Sequence, residues 1–325
     1  MEAEGLKNKE NEESKLNNSK NKFINLKSDY FIEKIFDIIH KKISLEIIKN
    51  NKYLQKRTNI NINNYKEYSE NYSSIKIEII PMKNKYGKFI NYKKENEKYY
   101  HIYFNGGEEK EIKRDVFNEE DKVSKINIII DYKIKSFNEL FQNCECIESI
   151  DFKKFYRIDI DNISHMFEGC ISLKEINFSN FKTNNISDMS YMFCGCESLK
   201  ALNLSNFNTN NVTNMNNMFL GCISLIEINL SNFNTNNATD MSGMFAGCKS
   251  LTDINLSNFN SNNLNNTSSM FYGCTSLKEI NISNLDTNKI SNMYSMFSFC
   301  SNELKSKIKN KYKNIRKEAF LELFI

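Results

Sequence analysis

SLKALNLSNFNT (Ser198–Thr209) and TNMNNMFLGC (Thr213–Cys222) are the two halves of one 26-residue unit, and its recurrence decides the fold. Phe141, Phe167, Phe193, Phe219, Phe245, Phe271 and Phe297 stand 26 residues apart without a slip. Cys144, Cys170, Cys196, Cys222, Cys248, Cys274 and Cys300 keep the same spacing three residues later, and Met166, Met192, Met218, Met244, Met270 and Met296 directly precede six of the phenylalanines. A fixed period of this length marks a repeat array, in which each unit is too small to bury its own apolar face and does so against its neighbours.

In the first half, Leu202 and Leu204 alternate with polar residues, which predicts a short strand with that pair turned inward. The equivalent pairs are Ile176 and Phe178, Ile228 and Leu230, Ile254 and Leu256, and Ile280 and Ile282. In the second half, Met215, Met218 and Phe219 at i, i+3 and i+4 predict one face of a helical turn. Asp161, Ser187, Thr213, Thr239, Asn265 and Ser291 precede these turns as N-cap residues, and Gly221 and its equivalents follow as left-handed C-caps. The expected fold is α/β: a solenoid with a parallel sheet on one face and short helices on the other, its strands about 4.8 Å apart.

The unit MFxGCxSLxxINLSNFxTxNVTNM resembles the repeat of the BspA-like leucine-rich-repeat proteins over residues 126–300. That resemblance implies a repeat solenoid and a role in adhesion or protein binding.

Outside the array, residues 1–24 read as a disordered charged tail, 25–70 as a helical module, 71–125 as a small β-rich lead-in that covers the first coil, and 301–325 as a capping helix. Within the helical module, residues 28–59 resemble an F-box without its Leu-Pro opening, which implies a Skp-type adaptor as partner. Residues 74–80, 98–104 and 125–131 read as strands, with a hairpin-type turn at Asn105-Gly106-Gly107. Glu303 to Phe324 reads as one helix with Leu304, Ile308, Tyr312, Ile315 and Phe320 inward.

The 44 basic and 40 acidic residues leave a net charge of +4, too near neutral to mark a nucleic-acid binder on its own. No apolar leader or membrane-length span occurs, so the expected location is cytoplasmic, with surface exposure only by unconventional export. All nine cysteines lie in the array without zinc spacing, and the three histidines His40, His101 and His165 neighbour no nucleophile constellation. No enzyme, cofactor or metal is therefore expected. The candidate partner-binding residues are the outward strand positions. They comprise an acidic column of Glu175, Glu227, Asp253 and Glu279, a column of Asn177, Asn203, Asn229, Asn255 and Asn281, and a column of Ser179, Ser205, Ser231 and Ser257. The expected function is a non-catalytic protein-interaction scaffold, with a ubiquitin-ligase substrate receptor and a surface adhesin as the alternatives.

Overall fold

A computed structural model describes residues 51–58, 73–106, 110–260 and 262–322. The chain divides into two compact units, Met1–Tyr72 and Ser73–Ile325. In the first, the described stretch forms helix α1 (Lys52–Thr58), where Asn51 Oδ1 accepts from the Leu54 amide at 3.1 Å. The expected charged tail and all but this end of the F-box-like segment lie outside the described residues.

The second unit opens with β1 (Ile75–Pro81), β2 (Gly87–Lys88), β3 (Tyr100–Phe104), β4 (Val116–Phe117) and β5 (Ile126–Ile130). In β1 and β5 every second residue is a buried Ile, apart from the closing Pro81, so the pleat places one face of each strand in the core. Asn105 and Gly106 turn the chain after β3 with φ of 56° and 79°, a left-handed pair that Asn and Gly tolerate best. The order is β3–β5–β1–β6, all antiparallel, with β6 spanning Ile147–Lys154. On its other edge β6 pairs in parallel with β7 (Glu175–Asn177), so this strand joins the lead-in sheet to the repeats.

Each later unit contributes a three-residue strand: β8 (Ala201–Asn203), β9 (Glu227–Asn229), β10 (Asp253–Asn255) and β11 (Glu279–Asn281). The expected continuous ladder is broken: β6–β7, β8–β9 and β10–β11 are bonded in parallel, whereas β7 and β8, and β9 and β10, fall in different sheets. Asparagine side chains cross those two seams. Asn206 Nδ2 donates to the carbonyls of Phe178 (2.7 Å) and Phe181 (3.4 Å), and Asn258 Nδ2 donates to those of Leu230 (2.9 Å) and Phe233 (2.8 Å).

The second half of the unit corrects the helical expectation. Among the described residues no helix lies between β6 and residue 302; the segment is a run of tight turns. Asn217 and Gly221 both have positive φ (52° and 72°), and the equivalent pair recurs in the other coils. Two left-handed residues four apart forbid a right-handed helix. The amides are satisfied between coils instead. Thus Asn217 N donates to Ser242 O (2.8 Å), Phe219 N to Met244 O (2.9 Å) and Gly221 N to Ala246 O (2.8 Å). Consecutive turns still place Met215, Met218 and Phe219 together inside, so their spacing alone does not separate them from a helical turn. The expected N-cap residues also bond between coils, as Thr213 N does to Ser187 O at 2.9 Å. The capping role passes to the next residue, where the Oδ1 atoms of Asn162, Asp188, Asn214, Asp240, Asn266 and Asn292 accept from the amide two residues on.

The core is a set of columns. The seven phenylalanines stack with centroids 5.4 to 5.6 Å apart and planes within 12°. From Cys170 onward each ladder thiol donates to the carbonyl of the phenylalanine one coil back, as Cys222 Sγ does to Phe193 O at 3.1 Å. Thr183, Thr209, Thr235 and Thr287, in one register of the repeat, are buried as well: Thr209 Oγ1 donates to Asn234 O (2.9 Å) and accepts from Asn234 N (2.8 Å).

At the two ends the columns change chemistry. Arg157 takes the threonine position in the first coil and is fully buried, donating to the carbonyls of Asp131 and Ile134 and pairing with Asp159 at 2.8 Å. At the other end, the expected single helix over Glu303–Phe324 is two elements, α2 (Asn302–Lys311) and a 3-10 turn (Lys317–Phe320). Helix α2 stops at Tyr312, whose hydroxyl sits on the exposed edge of the last strand, donating to Ile280 O and accepting from Ile282 N, both at 3.2 Å. The 3-10 turn then continues the turn-side ladder. Phe297 N donates to Ala319 O at 2.8 Å, Phe320 stacks on Phe297 at 5.7 Å, and Arg316 bonds the carbonyls of Ile290 and Ser291 while pairing with Glu318.

Candidate interaction face

The strand register brings the expected residues into columns on one face, and hydrogen bonding separates them by role. In the asparagine column every Oδ1 is used inside its own coil. Asn177, Asn203, Asn229, Asn255 and Asn281 accept from the amides of Ser179, Ser205, Ser231, Ser257 and Ser283 at 3.0 to 3.2 Å. This Asx turn ends the strand and turns the chain, so the repetition of Asn-x-Ser is a structural requirement. The Nδ2 donors of these side chains remain outward.

The acidic column is exposed at Glu175, Glu227, Asp253 and Glu279. It is not uniform. Glu279 is paired with Lys307 of α2 at 2.8 Å, which holds its carboxyl below the usual range, and Asp253 accepts from Thr252 Oγ1 at 2.9 Å. Glu175 and Glu227 have no ion-pair partner among the described residues. Between them stands Ala201, also exposed.

A cleft of about 640 Å³ opens at this point. Ile80, Ile150, Ile176 and Leu202 give its apolar lining, and Glu175, Asn177, Asn203, Glu227 and Asn229 line it from the expected set. The expected residues on β10 and β11, Asp253, Asn255, Glu279 and Asn281, lie outside it, as do Ser179, Ser205, Ser231 and Ser257. Two further carboxylates were missed. Glu78 of β1 meets Lys125 at 3.0 Å and Lys153 at 3.5 Å, and Asp151 of β6 meets Lys153 at 2.5 Å. A signal for the second was present: Asp151 is one 26-residue step before Asn177. Nothing in the sequence placed Glu78 beside it, because only the antiparallel pairing of β1 with β6 does so.

Burial pushes the ladder thiols well above their ordinary value, Cys300 to about 11, so they remain protonated and unreactive in the fold. His165 bonds Glu168 at 2.6 Å and stacks on Tyr191, and His101 bonds Glu111 at 2.7 Å. Among the described residues no cluster of His, Cys, Asp and Glu has the arrangement of a metal site, and no helix is long and apolar enough to cross a membrane.

Stacked strand–turn coils with leucine-rich strands and an MFxGC turn define a BspA-like leucine-rich-repeat protein. The family model described as "Mycoplasma protein of unknown function, DUF285" matches residues 135–227 and 196–312, more than half of the chain, and the chain belongs to that family. A solved leucine-rich repeat protein from Bacteroides ovatus is similar at 19% identity over 53% of this chain, with a TM-score of 0.32. The match spans 46% of that protein's chain. No curated protein matches the sequence.

Proposed function

We propose that the protein is a non-catalytic interaction scaffold: a leucine-rich-repeat solenoid, closed at its end by α2 and the 3-10 turn, that holds a protein partner across its strand face. The observation that carries this reading is the cleft over β1 and β6 to β9, about 640 Å³ with an apolar lining and polar rims. Such a concavity on the strand side of a rigid array is where a partner segment buries apolar surface while satisfying its polar groups. The asparagine column serves the coils through its Asx turns, whereas the side chains of Glu175, Ala201 and Glu227 bond no neighbouring coil and take no part in the stack beyond their backbone pairing.

A photoreactive amino acid placed at Ala201 tests the reading in the native cell. The expected result is a crosslink to one discrete partner from Ala201 and none from Lys249, an exposed residue outside the cleft. Crosslinks from Lys249 alone would sink the strand-face assignment. Run on intact cells with an impermeant tag, the same variant reads out whether the face is displayed outside, as an adhesin requires.

A further inference from the structure

We infer that the occupant of the cleft is an extended cationic segment of a partner protein, bearing two lysine or arginine side chains three residues apart. The inference rests on the scaffold reading above and adds the chemistry of the partner.

Charge is the first ground. The cleft lining holds the carboxylates Glu78, Asp151, Glu175 and Glu227 and no lysine, arginine or histidine. Lys125 and Lys153 neutralise the β1–β6 end, because they bond Glu78 and Asp151 from outside the lining. Lys174 borders the cleft but is held by Glu148 at 2.7 Å. Lys200, one residue before Ala201, is exposed outside the lining. Glu175 and Glu227 are left as exposed acceptors without a cation among the described residues.

Shape and hydrogen bonding supply the second. With each Asn Oδ1 committed to its Asx turn, the outward Nδ2 groups of Asn177, Asn203 and Asn229 present only donors. An extended main chain running along the stack offers carbonyls to that row, and its apolar side chains meet Ile176 and Leu202. The small side chain of Ala201 leaves room for the segment to pass between the two glutamates. Those glutamates are two coils apart, about 10 Å at roughly 4.8 Å per coil, which an extended chain in the polyproline-II conformation covers in one turn of three residues at about 3.1 Å each, with both cationic side chains on the same face.

The test uses full-length protein and short peptide libraries in which two positions three residues apart are fixed as lysine, glutamine or glutamate. The lysine library is expected to be retained about tenfold more tightly than the glutamine library, a preference that falls with salt. Glu175→Gln with Glu227→Gln should abolish that preference, whereas Glu279→Gln, outside the cleft, should leave it intact. Ala201→Gln, a change at an exposed position, should weaken every library that binds here. Equal retention of lysine and glutamine libraries, still lost in Ala201→Gln, would overturn the cationic assignment and leave the strand face standing. Retention that ignores Ala201→Gln, or no retention of any library, would overturn both.

Discussion

The turn side and the strand side of each coil come from the same 26-residue unit, yet they are held together differently. On the turn side every coil gives several backbone amides to the next, and the phenylalanine and cysteine columns run without interruption from Phe141 to Phe297. On the strand side the ladder is bonded only in alternate pairs, and asparagine side chains bridge the two seams. The difference teaches where this molecule keeps its stability and where it can spare surface. A side fastened by buried, repeated bonds fixes the coil spacing, so the opposite side is free to leave donors and carboxylates for a ligand.

The largest way to break that comparison is collective and chemical. A thiol whose folded value is raised by burial stabilises the fold fully below the ordinary thiol value and loses that contribution as pH rises through the raised folded value. Beyond an ordinary value near 9.0, each pH unit should cost about 1.4 kcal/mol per ladder thiol. Denaturation followed from neutral to strongly alkaline pH should therefore show a steep loss of stability beginning there. A thiol reagent at pH 8 should label the ladder only after unfolding, and rapid labelling in native protein of any thiol besides the half-exposed Cys194 would refute the buried column.

Single substitutions sharpen it further. Phe219→Ala, in the middle of the stack, should cost about 4 kcal/mol in denaturant unfolding. Arg157→Met removes a fully buried guanidinium that bonds two carbonyls and Asp159, and should cost roughly 3 kcal/mol. A substitution to lysine, which lacks the planar fork, should not restore it. The seam asparagines should separate from their neighbours. Asn206→Ala, which loses two carbonyl partners across a seam, should cost about 1.5 kcal/mol, and Asn232→Ala, within a bonded pair and with one partner, about half as much. Equal costs would show that the seams are not bridged in this way. Glu227→Gln should change stability by less than about 0.5 kcal/mol, because the cleft carboxylate has no part in the stack.

The places where sequence reading and structure part company follow one physical rule. Spacing of apolar residues reports which side chains point inward, and Met215, Met218 and Phe219 do so. It does not report where the amides go, so successive turns with left-handed residues at Asn217 and Gly221 read as a helical turn. In the same way Asn-x-Ser at each strand end reads as a polar surface column, although its oxygens are committed to Asx turns.

By itself the sequence determined the period, the columns and the inward strand pairs, because each follows from residue type at fixed spacing. Only the tertiary structure decided that β1 returns to pair with β6 and carries Glu78 to the cleft, that the strand ladder opens at two seams, and that Arg157 and Arg316 close the two ends on backbone carbonyls. Those features depend on hydrogen bonds between residues far apart in the chain, and local pattern holds no record of which distant carbonyl will need a donor.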